Sequence, residues 1–181
     1  MSLNYKRLSI PDLIVFEPRV FFDERGFFME KYKESDYEEL ALPLFKQDNY
    51  SFSTQRVIRG LHYQLPPFEQ GKLISVVKGK VWDVAVDMRK ESKFFGQWTG
   101  VELSDENNLS FYIPPGFAHG FSVLSKEVGF YYKCTAEYSA DHDRGVRFDD
   151  KKLMIDWRVS NPLVSKKDIN LPLWEEAEKF D

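Results

Sequence analysis

The sequence predicts a mainly β protein, a sandwich or barrel of short strands with a few short peripheral helices. Three observations carry this. Short runs of Val, Ile, Phe and Tyr recur along the chain, interrupted about every eight to twelve residues by Gly, Pro, Asn or Asp, the spacing of strands joined by tight turns. Aromatic residues are abundant, with 16 Phe, 9 Tyr and 4 Trp, and such side chains suit a pleated, half-buried surface. Helical patterning is confined to two brief segments, so most of the backbone must find its hydrogen bonds in sheets.

Along the chain, the first strands are expected at Ile14 to Glu17 and Gly26 to Tyr32. A short helix follows over Ser35 to Leu42, where Ser35 and Glu38 have capping-box spacing. Phe45 to Ser53 reads as the next strand. Leu73 to Val77 and Lys80 to Val86 flank Lys78-Gly79, the pattern of a two-residue hairpin turn. In the second of these strands Trp82, Val84 and Val86 share one face, and Val81, Asp83, Ala85 and Asp87 the other. A face carrying two carboxylates is expected to meet solvent or line a polar cavity. Further strands are expected at Gly100 to Leu103, Ser110 to Ile113, Gly120 to Val123 and Val128 to Thr135. Pro172 to Glu178 is the second expected helix, with proline in its first turn. No long linker, repeat or low-complexity tract divides the chain, so residues 1–181 read as a single domain. Met1-Ser2-Leu3 carries no weight in this reading.

A chain of 181 residues can bury a substantial core without disulfide or metal staples. No stretch approaches the roughly 20 apolar residues of a membrane span, and no basic start leads into an apolar run, so a soluble cytoplasmic protein is expected. Its one cysteine, Cys134, excludes an intrachain disulfide and suits a reducing compartment. The formal charge of −4 gives no general attraction to nucleic acid or anionic membrane, and neither is expected as a partner. An anionic ligand would need a local cationic cluster, for which Arg25, Arg59 and Lys72 are candidates.

Two of the three histidines stand in apolar, glycine-bearing contexts: Arg59-Gly60-Leu61-His62-Tyr63-Gln64 and Pro114-Pro115-Gly116-Phe117-Ala118-His119-Gly120-Phe121. Imidazole is the side chain best suited to moving protons near neutral pH. A metal centre wants three or four converging ligands. Gln64 occupies the position where a second histidine would have pointed the same way along a strand, and His142 lies in a polar run, so the metal reading is disfavoured. In the acid–base reading His62 is the base and needs a carboxylate to hold its tautomer. Asp168, in the turn-prone Ser165-Lys166-Lys167-Asp168, can be that partner or simply a helix-capping or solvated turn residue. Tyr132 can be the opposing acid or a sheet residue. Arg59 lies three residues before His62, so the two face opposite sides of a regular strand unless a bulge at Gly60 shifts the phase. An arginine beside a base suits a phosphate, with a surface ion pair as the plain alternative.

With these residues in view, the chain resembles the dTDP-4-dehydrorhamnose 3,5-epimerases, nucleotide-sugar enzymes with a cupin-type (jelly-roll) β-barrel. The resemblance runs from about Ile14 to the C-terminal region. Its blocks include Phe22-Asp23-Glu24-Arg25-Gly26-Phe27-Phe28-Met29-Glu30, Gln47-Asp48-Asn49, Arg59 to Gln64, Gln70-Gly71-Lys72, Asp83-Val84-Ala85-Val86-Asp87, Pro114 to Phe121, Tyr132-Lys133-Cys134-Thr135, Ile155-Asp156-Trp157 and Ser165 to Asp168. Each block is weak alone, and their shared order makes the match specific.

The resemblance implies that His62 is the proton acceptor, Asp168 its dyad partner and Tyr132 the proton donor. It implies that Arg25, Glu30, Gln47, Asp48, Asn49 and Arg59 hold the nucleotide or its diphosphate, part of the site coming from the neighbouring subunit of a homodimer. Lys72 and His119 would lie close to the sugar, with Tyr138 and Asp143 among the substrate contacts. Asp143 stands where the family often has glutamate, so a contact there is shorter by a methylene. The stretch Asp149 to Met154 and Arg158 also depart from the usual pattern.

The implied chemistry is carbonyl chemistry: a ketone at C4 acidifies the hydrogens on C3 and C5. The implied substrate is dTDP-4-dehydro-6-deoxy-D-glucose, and no metal or redox cofactor is expected. A single-site epimerase inverting only C3 or C5 needs the same His62 and nucleotide pocket, and stands as the alternative. A metal-dependent cupin enzyme and a non-catalytic sugar-nucleotide binding module are rivals from other classes. The first is disfavoured by Gln64, the second by an intact set of His62, Asp168 and Tyr132.

Overall fold

The computed structural model describes residues 4–181, and Met1-Ser2-Leu3 lies outside it. Strands β1 (Asn4–Arg7), β2 (Ile14–Glu17), β3 (Val20–Asp23) and β4 (Gly26–Met29) precede helix α1 (Glu34–Glu38). The body follows as β5 (Gln47–Thr54), β6 (Val57–Gln64), β7 (Lys72–Lys78), β8 (Lys80–Asp87), β9 (Trp98–Ser104), β10 (Ser110–Ile113), β11 (Phe117–Val123) and β12 (Glu127–Cys134). A 3-10 turn at Ala140–His142, strands β13 (Asp143–Gly145) and β14 (Leu163–Val164), and helix α2 (Lys166–Ile169) complete the order.

One sheet runs β1-β2-β10-β7-β12-β5, and the other runs β13-β6-β11-β8-β9 with β14 lying parallel beside β6. Their inner faces meet in the core, where Ile74, Phe111 and Phe130 of the first sheet pack with Val81, Leu103 and Phe121 of the second. This is a mainly β, cupin-type barrel with two short helices at its periphery, as expected. The second sheet is also covered from outside, because Trp157, Trp174, Ala177 and Phe180 fold back onto Ile58, Trp82 and Val84. On the first sheet, Tyr37 of α1 packs with Ile14, Phe16, Leu73 and Tyr112. Among the described residues no helix is long and apolar enough to cross a membrane.

Several local expectations are corrected. Lys78-Gly79 does not close a hairpin, since β7 pairs with β10 and β12 whereas β8 pairs with β9 and β11. The chain instead crosses between the sheets at Gly79, whose φ of +80° and approach to the Glu127 carbonyl leave no room for a Cβ. The carboxylate face of β8 is not solvated: it turns inward with Val81 and Ala85 of the core, and Asp83 and Asp87 are completely buried. Asp87 is instead bonded by Arg89 and Ser92. The first helix starts after Lys33, so Ser35 lies inside it and caps nothing. Pro172 to Glu178 makes only an isolated turn. Its Trp174 N–H donates to Asp150 (2.8 Å) and the Phe180 N–H to the Met88 carbonyl (3.1 Å), drawing the segment against the sheet rather than into a helix.

Candidate active site

The decisive local feature is a bulge in β6. On β11, His119 stands opposite His62 and Phe121 opposite Arg59, so three steps along β6 match two along β11. The additional residue changes the side-chain phase, and Arg59 and His62 come to line the same cavity. The two strands approach closely here. A Cβ on Gly60, whose φ is +118°, would lie 2.6 Å from the Gly120 Cα, and one on Gly120 would lie 2.7 Å from the Arg59 carbonyl oxygen. Glycine is required on both sides of this crossing.

The cavity, about 570 Å³, lies between the sheets and is walled by β6 and β11 on one side and by β7 and β12 on the other, with α2 at its edge. His62, Tyr132, Asp168, Lys72, His119 and Arg59 all line it. His62 Nε2 lies 2.7 Å from Asp168 Oδ1. The other carboxylate oxygen of Asp168 accepts the Gly60 N–H at 3.3 Å, and the Asp168 N–H donates to Ser165 Oγ at 3.1 Å. Burial of Asp168 works against its ionisation. The hydrogen bond and charge of His62, with the donors at Gly60 and Ser165, outweigh it and hold the carboxyl below its ordinary pKa. An ionised Asp168 can only accept, so Nε2 of His62 carries the proton and Nδ1 is the basic atom of the ring.

Tyr132 projects from β12 into the same space. Burial, together with the Cys134 and Asp143 charges, raises its phenol pKa against the opposing pull of Arg59, so at neutral pH it is a proton donor. Lys72 opens β7 and is 8 % exposed, with Nζ 3.5 Å from the His62 carbonyl oxygen. Burial lowers its pKa, opposed by Cys134, Asp83 and Asp143. His119 Nε2 sits 3.0 Å from both carboxylate oxygens of Asp83. Burial pushes the imidazolium down and the Asp83 carboxyl up, and each partner restrains the other's shift.

The remaining expected contacts fall outside this cavity wall. Gln47 and Asn49 share the inward side of β5, joined by a 3.0 Å side-chain bond, and Gln47 also accepts the Tyr138 N–H at 2.7 Å. Tyr138 and Lys167 both donate to Asp143, at 3.3 and 2.5 Å. Asp48 alternates to the other side of β5, where Lys133 and Tyr131 bind it. Arg25 sits exposed at the tip of the β3–β4 hairpin, paired with Asp23, and Glu30 is exposed just beyond β4. Arg59 donates to Ser53 Oγ at 3.0 Å.

Lys167, Ser165 and the stacked pair Phe121 and Phe130, 4.0 Å apart, also line the cavity and were not singled out from the sequence. A legible signal existed for Ser165, since Ser165-Lys166-Lys167-Asp168 has capping-box spacing. Asp83, the partner of His119, carried only its place in an alternating strand. Gln64 is buried and ties the neighbouring loops together, donating to the Phe68 and Glu137 carbonyls and accepting the Ser139 N–H. Among the described residues no three His, Cys, Asp or Glu side chains cluster as a metal site would need.

A cupin-type barrel with a histidine–carboxylate pair, a phenol and a buried lysine around one cavity has the groups of an acid–base enzyme, and its relatives place it in the isomerase class. Residues 7–176 match the family model described as dTDP-4-dehydrorhamnose 3,5-epimerase, and the chain belongs to that family. It is 52% identical over 180 residues to the dTDP-4-dehydrorhamnose 3,5-epimerase of Shigella flexneri, covering 98% of this chain and 99% of that one. Among solved structures, the dTDP-4-dehydrorhamnose 3,5-epimerase of Elizabethkingia anophelis superposes with a TM-score of 0.93 at 46% identity, over 97% of this chain and 98% of that one. The dTDP-6-deoxy-D-glucose-3,5-epimerase of Legionella pneumophila, solved with dTDP-4-keto-L-rhamnose, gives 0.93 at 46% identity, over 96% and 94%.

Proposed function

We propose that the chain inverts C3 and C5 of dTDP-4-dehydro-6-deoxy-D-glucose, giving dTDP-4-dehydro-L-rhamnose, by proton transfer without a metal or redox cofactor. The observation that carries this reading is the 2.7 Å contact of His62 with Asp168 on the wall of a cavity shared with Tyr132 and Lys72. His62 Nδ1 takes the proton from the carbon beside the ketone. The C–H electron pair moves into an enolate, whose negative oxygen is matched by Lys72 and secondarily by His119. Tyr132 returns a proton to the opposite face, inverting the centre, and the sequence repeats at the second carbon after the acid and base exchange protons with solvent. Each acid–base contribution is worth about 10²- to 10⁴-fold in rate.

The reading takes residues 1–181 as one cytoplasmic domain that works as a homodimer. Arg59 and Lys167 supply cationic groups for the diphosphate, with Gln47, Asn49, Tyr138 and Asp143 at the nucleotide end, whereas Asp48 faces the other side of β5 and takes no part. Arg25 and Glu30 stand on a hairpin whose Phe21, Phe22, Phe27 and Phe28 are all exposed. Burial of those rings against a second subunit would bring Arg25 and Glu30 to the partner's cavity, which supports a shared site.

Incubation with the 4-keto substrate in deuterated buffer after exhaustive chelation tests the proposal. Deuterium at C3 and C5 with both centres inverted is expected. Label at one carbon selects the single-site epimerase, no label selects a binding module, and activity restored only by added metal overturns the metal-free mechanism.

A further inference from the structure

We infer that Ser165 is a positioning residue for the base: its hydroxyl holds Asp168 so that the carboxylate keeps His62 in the Nε2–H form. The inference rests on the acid–base reading of the site and adds a residue to which that reading gives no role.

The argument starts from the shortness of α2. A four-residue helix cannot hold its own shape, because nucleating a turn fixes several residues for one hydrogen bond. Its first turn needs an acceptor from outside, and Ser165 Oγ is that acceptor, bonded at 3.1 Å to the N–H of Asp168. Ser165 itself is fixed from the other side. It directly follows β14, in which Leu163 and Val164 pair with Val57 and Ile58 of β6, the strand that carries His62.

The base and its carboxylate are therefore joined twice: directly, through the 2.7 Å contact, and through β6, β14 and the Ser165 hydroxyl. The Gly60 N–H completes the arrangement by gripping the carboxylate oxygen that does not face His62. With both oxygens engaged, the plane of the carboxylate is set. Without the Ser165 acceptor, the Asp168 N–H loses its partner, the helical turn loosens, and the carboxylate no longer meets His62 at one angle. The imidazole then samples its other tautomer, in which Nδ1 carries the proton and cannot accept one.

The test uses Ser165→Ala and Ser165→Gly, the glycine variant because it removes the hydroxyl while remaining a tolerated cap residue, and Ser165→Thr, which restores the acceptor. The first readout is the tautomer of His62 in the ligand-free proteins, from nitrogen-15 NMR of the imidazole. The second is kcat on the 4-keto substrate beside the Kd for dTDP. Wild type and Ser165→Thr are expected to show Nε2–H and unprotonated Nδ1. The alanine and glycine variants are expected to show mixed tautomers and a kcat lower by about tenfold or more, with dTDP binding within about twofold of wild type. An unchanged tautomer in both hydroxyl-free variants overturns the inference. So does a loss of dTDP affinity equal to the loss of kcat, which would make Ser165 a substrate contact. If wild type fails to turn over the substrate, the functional reading falls, whereas the tautomer comparison still decides the role of Ser165.

Discussion

His62 and Asp168 lie 106 residues apart in the chain and 2.7 Å apart in the fold. Asp168→Asn keeps the shape of this contact and replaces an obligate acceptor by a group that can also donate, so His62 loses its fixed tautomer. The expected result is a fall in kcat of about 10²- to 10⁴-fold with dTDP affinity nearly unchanged. A pH-dependent stability difference accompanies it. The folded-state pKa of Asp168 is depressed, so its stabilising contribution is complete above the ordinary value of 3.8 and is lost as pH falls through the depressed value. Urea titrations of wild type and variant should therefore converge in strong acid and separate above it.

Tyr132 makes a different prediction because it acts after the proton has left carbon. In Tyr132→Phe the base remains, the enolate still forms, and His62 can return a solvent-derived proton only to the face it came from. Deuterium exchange without inversion is expected at the substrate carbons, with net epimerisation lowered by about 10²-fold or more. NMR of the recovered sugar distinguishes this from a simple loss of binding, which would suppress exchange and inversion together.

How far the sequence reveals these features depends on what each residue must satisfy. Strands such as Ile14–Glu17 and Ser110–Ile113 appear in the sequence at their observed bounds because turn residues punctuate them. Around His62 the residues leave a regular strand and a bulge at Gly60 both open, and the bulge that β6 adopts against β11 aims Arg59 and His62 into one cavity. The same S-x-x-D/E spacing appears at Ser35 and Ser165. Only at Ser165 does it cap, because pairing of β14 with β6 presents the hydroxyl to the helix end. The residues alone offered Asp168 and Tyr132 as partners of His62 only beside plainer capping and sheet readings, and the family resemblance chose between them. Asp83 was legible as a strand residue and illegible as the partner of His119, since that pairing exists only across β8 and β11.

Lys72 trades stability for chemistry. Burial depresses its pKa below the ordinary 10.5, which means that its charge is carried in the folded state at a cost. Lys72→Met should raise stability at neutral pH while lowering kcat about 10²-fold or more. The sign of the pH dependence is fixed. The cost is complete below the folded-state pKa and vanishes as pH rises to 10.5, so the stability gap between variant and wild type should close on the alkaline side. Thermal melts at a series of pH values check this, and a variant less stable than wild type at neutral pH would refute it.

The exposed aromatic hairpin leads to a complementation experiment. If Arg25 serves the partner's cavity while His62 serves its own, then Arg25→Ala and His62→Ala damage opposite contributions to each site in the dimer. Mixed dimers would contain one doubly damaged site and one intact site. Random reassortment of equal amounts of the two variants should therefore restore about a quarter of wild-type activity per site, although each variant alone is nearly inactive. Co-expression with two affinity tags isolates the mixed dimer, in which about half the sites should be active. Absence of any recovery in the purified mixed dimer would place Arg25 and His62 in the same subunit's site, whereas full activity of Arg25→Ala alone would place Arg25 outside the site altogether.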